Sequence, residues 1–158
     1  GKHSIEEMAK EAKKQGLEYI AITDHTRDLA MTGGSDEKKL QRQMKAIDRA
    51  QKKVSGIKIL KGAEVNIRKD GTLDIEDSML AKLDVVGVSV HSNFKMSKKD
   101  MTKRLTAAME NKNVDILFHP TGRLVGKRDA YEVDMEKIIK AAKIEANTGT
   151  VKMRIFIP

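Results

Sequence analysis

Four ionisable side chains lie at or near the ends of apolar segments in this sequence. They are His25, Glu64, His91 and His119. Imidazole nitrogen and carboxylate oxygen are ligands that zinc, manganese and iron all accept. If the four side chains converge, they predict a divalent metal site, and a carboxylate between histidines could bridge two ions.

Each of these residues also has a simpler interpretation. A single histidine at a strand end is more often a hydrogen-bonded structural residue than a ligand, and a single glutamate such as Glu64 is more often solvated or ion-paired. Three histidines at successive strand ends make coincidence improbable, so we favour the metal site. The fourth histidine, His3, precedes a helix, where we expect an ordinary surface or capping role.

The elements that position these residues alternate between helix and strand. Ser4 and Glu7 have capping-box spacing, Gly16 marks a helix end, and the apolar run 17–25 is typical of a strand buried on both faces. Further strands are predicted at 57–67, 84–91 and 114–120, and further helices at 35–54, 76–83, 98–111 and 134–143. This alternation predicts an α/β fold with a parallel sheet, either open or closed into a barrel. The carboxyl ends of parallel strands share one edge, so the four ionisable residues can meet there.

Composition limits the class of protein and its partners. The 158 residues suit one domain, 1–158, with a real core, and the absence of cysteine favours a reducing cytoplasm. No apolar run approaches the length needed to span a bilayer, so we expect no membrane association. The net charge of +8 is compatible with a polyanionic partner such as DNA, although charge alone is better explained by a solvated charged surface. Aromatic residues make up only 3% of the chain, so nucleic acid would be held mainly through its phosphates.

Four segments resemble the polymerase and histidinol phosphatase (PHP) family, specifically the version at the C-terminus of family X DNA polymerases of bacteria and archaea. They are "AITDH", "KGAEVNI", "GVSVHSNF" and "FHPTGRLVGKRDAYEVDMEKIIKAA", and the resemblance covers about residues 2–143. It implies a distorted β/α barrel of seven strands with up to three metal ions at the carboxyl ends of the strands. It further implies that His25 binds one ion, that Glu64 bridges two others, and that His91 and His119 join Glu64 on one of these.

Two motifs of that family are missing. Family members begin with a strand that bears His-x-His and end with Asp-x-His on a final strand, whereas this chain starts at Gly1, just past the first motif. Residues 144–158 read as a short loop and one strand and match the family poorly. We therefore expect an incomplete barrel that holds fewer than three ions of zinc, manganese or iron.

Several further residues are candidates for roles around the metal ligands. Asp24 is adjacent to His25 and is predicted to orient it, so Glu64 and Asp24 are the candidate catalytic residues. Arg123, Lys127 and Arg128 follow the fourth strand, where they could hold a phosphate, although a solvated loop is equally plausible. Residues 31–34 are predicted to form a mobile loop over the site.

The resemblance implies a metal-dependent phosphoesterase acting on DNA, either as a 3′–5′ exonuclease or in 3′-end processing, with a polymerase domain as a possible partner in the parent chain. One alternative is a catalytically impaired module that binds DNA or braces a polymerase. Another is a small-molecule phosphatase of the histidinol phosphatase type, against which the segment "HPTGRLVGKRDAYEVD" argues.

Overall fold

The computed structural model describes residues 3–28, 33–146 and 154–156. The helices are α1 (Ile5–Lys14), α2 (Glu37–Lys53), α3 (Asp77–Leu80), α4 (Lys98–Met109) and α5 (Met135–Ala146). The strands are β1 (Tyr19–His25), β2 (Lys58–Asn66), β3 (Val85–Ser89), β4 (Ile116–Phe118) and β5 (Arg154–Phe156). The predicted alternation of helix and strand is confirmed.

The five strands form one parallel sheet in the order β1-β2-β3-β4-β5. The α/β prediction is therefore confirmed, and spatial order follows chain order, which is compatible with part of a β/α barrel. Within the part of the chain that the structure describes, no pairing joins β1 to β5, so the sheet is open here. No helix among these residues is long and apolar enough to cross a membrane.

Local sequence explains where three helices begin. Ser4 and Glu7 form the predicted capping box, in which the Ser4 backbone N–H donates to Glu7 at 2.7 Å and the Glu7 N–H donates to Ser4 Oγ at 3.2 Å. Asp36 caps α2 by accepting from the Lys39 N–H at 2.7 Å, and Ser97 caps α4. These caps satisfy N–H groups that would otherwise lack partners.

Two groups of buried side chains hold the sheet to its helices. The larger lies among β2, β3, β4, α4 and α5 and includes Val65, Val88, Leu105, Leu117 and Ile138. The smaller joins α1 and α2 to β1 and β2. Gly87 of β3 leaves room for a side chain of the neighbouring strand, because an added Cβ would lie 1.9 Å from the ring of Phe118 of β4.

The prediction that the first strand is buried on both faces was wrong. Every side chain of β1 is exposed or only partly buried, and Tyr19 is 58% exposed. In the described sheet β1 is an edge strand, with helices packed on one face only. Edge position depends on long-range pairing, which an apolar run of this length does not reveal.

Candidate metal centre

Strand pairing brings the four predicted ligands to one edge of the sheet. His25 is the last residue of β1 and lies opposite Glu64 in the parallel register with β2. His91 follows β3 by two residues, and His119 comes directly after β4. Because all of these strands run in the same direction, their side chains meet beyond the carboxyl ends.

The Glu64 carboxylate lies at the centre of the cluster. Nε2 of His119 lies 2.9 Å from Glu64 Oε1, and Nε2 of His91 lies 3.2 Å from the same oxygen. Nδ1 of His25 lies 3.7 Å from Glu64 Oε2. The ring of His91 lies between the other two, with centroids 5.0 Å from His25 and 5.4 Å from His119. The side chains therefore present nitrogen and oxygen atoms to a small shared volume.

The arrangement fits a divalent ion. His25, Glu64 and His91 can each offer one ligand atom, and these three atoms lie within 4.8 Å of one another. His25 Nδ1 is buried and has no hydrogen-bond partner among residues 3–28, 33–146 and 154–156. A buried nitrogen without a partner is costly, and a cation beside it would satisfy both this nitrogen and the carboxylate. His119 is not part of the three-atom group and reaches the cluster through Glu64.

The environment of Glu64 favours its ionised form, which ligation requires. Burial alone raises the pKa of this carboxyl group. Hydrogen bonds with His119, His91 and Ser89, together with the nearby His25, outweigh burial and hold the pKa well below its usual range.

Ser89 belongs to this cluster and was missed from the sequence. Its hydroxyl donates to Glu64 Oε1 at 2.9 Å and lies 3.2 Å from Nε2 of His91, and the residue is fully buried. Alternate residues along a strand share a face, so the spacing of Ser89 and His91 in "SVH" could have indicated it.

Asp24 is not part of the cluster. Its carboxylate Oδ2 accepts a hydrogen bond of 2.9 Å from Gln43 Nε2 of α2, and the side chain is exposed. Successive residues of a strand point to opposite faces, so adjacency to His25 in sequence places Asp24 away from Glu64. The predicted orientation of His25 by Asp24 is not observed.

A buried polar network fixes the chain immediately after His25. The Thr26 N–H donates to the Glu64 carbonyl at 3.1 Å, and its hydroxyl donates to Asp74 at 2.7 Å. The Asp74 carboxylate also accepts from the backbone N–H groups of Asn66 at 3.1 Å and Asp28 at 2.9 Å. These bonds tie the loop after β1 to the loop after β2 and so hold His25 opposite Glu64. No sequence pattern had indicated Asp74.

His119 adopts an unusual backbone conformation. Its φ is +30°, a region that non-glycine residues rarely adopt, and the Gly122 N–H donates to the His119 carbonyl at 2.8 Å to close the turn. Strained backbone of this kind concentrates at functional sites, where surrounding contacts enforce it. The turn directs the His119 ring towards Glu64 while the chain continues into the next loop.

The three predicted phosphate-binding residues differ in their surroundings. Arg128 donates from Nε to the Gly122 carbonyl at 2.8 Å, and its guanidinium lies 3.9 Å from the centroid of the Phe94 ring. Arg123 and Lys127 are exposed, and no carboxylate of the described residues lies within ion-pair distance of either. The structure therefore leaves two of the three cations available to a ligand and uses Arg128 to hold the loop.

A second arginine, Arg104 of α4, joins the loops that carry the ligands. It is almost fully buried and donates to the carbonyls of Arg68 at 2.8 Å and Ser92 at 2.9 Å, and also to that of Ile67. These carbonyls belong to the segments that follow β2 and β3. Arg104 was missed because it occupies the apolar face of α4, where an arginine is not expected.

The predicted mobile loop is described only in part. Met31 and Thr32 lie outside the described residues. Gly33 accepts a hydrogen bond of 2.8 Å from Lys39 Nζ, and an added Cβ on Gly34 would lie 2.0 Å from the Thr26 carbonyl oxygen. The second half of this segment is therefore packed against the end of β1.

Comparison with known proteins confirms the resemblance that the motifs indicated. The family described as the PHP domain matches residues 1–149. The chain is 44% identical over 149 residues to "DNA polymerase/3'-5' exonuclease PolX" of Bacillus subtilis (strain 168), covering 94% of this chain and 26% of that protein. It is 35% identical over 144 residues to a probable phosphatase of Thermoanaerobacter sp. (strain X514), covering 89% and 54%.

A third relative gives similar coverage. A probable phosphatase of Caldanaerobacter subterraneus subsp. tengcongensis is 36% identical over 144 residues, covering 89% of this chain and 52% of that protein. The chain thus spans about a quarter of the polymerase relative and about half of each phosphatase. These comparisons therefore concern the PHP region.

Proposed function

This chain belongs to the PHP domain family, and we propose that its cluster around Glu64 is the metal site of a phosphoesterase that acts on DNA. PHP domains are metal-dependent, and relatives of this chain include probable phosphatases and an exonuclease-bearing polymerase. The observation that carries the proposal is that ligand atoms of His25, Glu64 and His91 lie within 4.8 Å of one another, while the buried Nδ1 of His25 has no hydrogen-bond partner among the described residues.

In this proposal each residue of the cluster has its own role. His25, Glu64 and His91 would hold an ion of zinc, manganese or iron, and His119 contacts the same Glu64 oxygen as His91. Ser89 fixes the rotation of the Glu64 carboxylate through its hydrogen bond. A divalent ion held there supplies a hydroxide at neutral pH and offsets charge on the phosphoryl oxygens.

We further propose that the substrate is the 3′ end of DNA, in a 3′–5′ exonuclease or 3′-end processing reaction. The relative of highest identity reported above bears the name of a 3′–5′ exonuclease. Arg123 and Lys127 lie in the loop after His119, where they can offset phosphate charge, and the net charge of +8 favours a polyanionic substrate. A polymerase domain in the parent chain and a cytoplasmic location are part of the same proposal.

A second candidate is a phosphatase that acts on small phosphate monoesters. The names of the probable phosphatases, which share about a third of their residues with this region, favour it. The two candidates share the metal cluster and differ in substrate. Arg123 and Lys127, both exposed in one loop, support the extended polyanion over the small ester.

The test is release of nucleotides from 3′-labelled DNA in the presence of manganese. We expect slow release by the wild-type chain and none by Glu64→Gln, because the amide keeps the size of the side chain but removes the negative charge that binds the ion. Glu110→Gln, an exposed glutamate at the end of α4, is the matched control and should behave as wild type.

Phosphate release from p-nitrophenyl phosphate separates the two candidates. Hydrolysis of this ester without release of nucleotides would favour the small-molecule phosphatase. A folded, metal-loaded protein that cleaves neither substrate would contradict the phosphoesterase proposal.

A further inference from the structure

We propose that Leu124 and Val125, at the tip of the loop after β4, pack against the terminal base of a nucleic acid whose end lies at the Glu64 cluster. This contact rests on the proposed function and adds to it a residue pair that recognises the base and not the phosphate. We refer to Arg123–Arg128 as the tip hairpin.

The tip hairpin is a closed turn that projects apolar side chains. The Leu124 N–H donates to the Arg128 carbonyl at 2.9 Å, and the Leu124 carbonyl accepts from the N–H groups of Lys127 at 2.9 Å and Arg128 at 2.8 Å. Gly126 supplies the positive φ of +73° that the turn needs. Leu124 is 49% exposed and Val125 is 82% exposed. These hydrogen bonds close the turn while the two apolar side chains face solvent.

Contacts at its base hold the tip hairpin in place. Arg128 lies over Phe94 and donates to the Gly122 carbonyl, and the Tyr131 N–H donates to the Thr121 carbonyl at 3.0 Å. Phe94 in turn stacks on Tyr131, with ring centroids 6.2 Å apart. Because these contacts already order the loop, binding a ligand there costs less conformational entropy than it would for a free loop.

The tip hairpin lies within reach of a nucleic acid end at the metal cluster. Val125 follows His119 by six residues (125 minus 119), so its Cα lies at most about 20 Å from that of His119. Phosphates along one strand are spaced by about 3.4 Å of helix axis, so this upper limit corresponds to about six nucleotides and includes the terminal one. The tip can therefore contact a base while the terminal phosphate is near Glu64.

The distribution of charge favours nucleic acid as the occupant. Exposed Arg123 and Lys127 flank the apolar pair, and the hairpin itself contains no acidic residue, the next one being Asp129. Cations beside an aliphatic tip match phosphates beside a base, and leucine and similar side chains are known to wedge against base steps. Two side chains cover far less than the roughly 800 Å² per partner of a stable protein interface, which argues against a protein on this tip.

The experiment compares DNA ends with and without a terminal base. The ligands are two duplexes of identical sequence, one with a fluorescent adenine analogue at the 3′ end and one with an abasic residue there. The double variant Leu124→Ser, Val125→Ser is compared with the wild type and with Leu17→Ser. Leu17 is 50% exposed, close to the 49% of Leu124, and lies before β1 at the opposite end of the sheet.

We expect the double variant to lose about tenfold in affinity for the base-terminated duplex, because two aliphatic side chains no longer bury apolar surface against the base. Its affinity for the abasic duplex should equal that of the wild type, and Leu17→Ser should match the wild type on both. Circular dichroism should be unchanged, since both substituted side chains are exposed and outside the core.

Two results would overturn the contact: equal affinity of wild type and double variant for both duplexes, or an equal loss on both. A change in sedimentation with DNA affinity intact would also overturn it, because the tip would then contact protein. If the base-dependent loss is present but manganese supports no nucleotide release, the contact stands and the proposed phosphoesterase activity on DNA fails. The two proposals can therefore fail separately.

Discussion

Ser89 donates a hydrogen bond of 2.9 Å to the same oxygen of Glu64 that both His91 and His119 approach. A buried donor at that position restricts rotation of the carboxylate. Ser89→Ala removes the donor and leaves an oxygen whose orientation depends on the histidines alone. We expect about tenfold weaker metal binding, the lower end of the effect of removing an outer hydrogen bond to a metal ligand.

Chelator competition at constant pH measures that affinity. Ser92→Ala is the matched control, since Ser92 is exposed and, among the residues that the structure describes, its hydroxyl has a hydrogen bond only with Asn93. Equal affinity in Ser89→Ala and wild type would show that the histidines orient Glu64 without help from the serine.

Metal content should depend on both His91 and His119. His91 belongs to the group with His25 and Glu64. Its Nε2 also approaches Oε1 of Glu64, the oxygen that His119 contacts. We expect elemental analysis to find at least one divalent transition metal per wild-type chain and none in His91→Ala or His119→Ala. His3→Ala removes an exposed histidine before α1 and should retain the metal. Retention of metal by His119→Ala alone would restrict the ion to the group of His25, Glu64 and His91.

Local pattern was sufficient to predict most of the fold and the four strand-end residues. Helix caps such as Ser4 and Ser97 depend on residues within one helical turn. Strands are indicated by the pattern of apolar residues over a few positions, so both can be predicted from a short stretch of sequence. His25 and Glu64 meet because parallel strands share an edge, which is a property of the fold class and not of either segment.

Features that depend on long-range contacts could not be read in this way. The exposure of β1 follows from its place at the edge of the described sheet, and Arg104 is buried because three carbonyls from distant loops accept its hydrogen bonds. Asp24 was assigned to the site by adjacency, although alternation along β1 turns it towards Gln43. Strand periodicity, applied strictly, would have replaced Asp24 with Ser89 as a partner of the ligands.

Arg104 is expected to be essential for stability. Arg104→Met keeps much of the aliphatic volume but leaves the carbonyls of Ile67, Arg68 and Ser92 without their donor. Buried acceptors without partners are costly, so we expect a loss of about 3 kcal/mol in the free energy of unfolding by urea. Lys103→Met changes the neighbouring exposed cation and should cost little. A loss no larger than that of the control would mean that water satisfies these carbonyls.

The pKa of Tyr131 predicts how the free energy of unfolding changes at high pH. Burial raises its pKa to about 12, against the opposite effect of Arg104 and Arg128. Between pH 10 and 12 the unfolded chain loses this proton while the folded chain keeps it, so the raised pKa makes stability fall as pH rises. As the pH rises from 10 to 12, the free energy of unfolding of Tyr131→Phe should therefore increase relative to that of the wild type, by about 3 kcal/mol at most.

At neutral pH the same substitution should be neutral or slightly stabilising. The Tyr131 hydroxyl is buried and has no hydrogen-bond partner among the described residues, so its removal relieves a desolvation cost. Urea unfolding at pH 7 and across pH 10 to 12 measures both effects. A clear destabilisation at pH 7 would show that the hydroxyl has a partner, such as an ordered water.

The proposed binding of DNA should depend on one face of α2. Arg42, Lys45 and Arg49 are exposed and have helical spacing that places them on the same side, with no ion-pair partner among the residues described. Each phosphate contact that releases a counterion contributes about 0.9 to the slope of log affinity against log salt concentration. Changing all three residues to glutamine should therefore make the slope shallower by up to about 2.7 and weaken binding without regard to DNA sequence.

The control removes the same amount of charge from elsewhere. Lys14, Lys61 and Lys137 lie within 4 Å of Glu11, Asp48 and Asp134 respectively, so their positive charges are already offset. Changing these three to glutamine alters net charge equally but should leave most of the slope, because no phosphate contacts are lost there. Fluorescence anisotropy over a series of salt concentrations gives both slopes. Equal slopes for the two triple variants would mean that net charge, and not the face of α2, governs binding. The cations of α2 would then form an ordinary solvated surface.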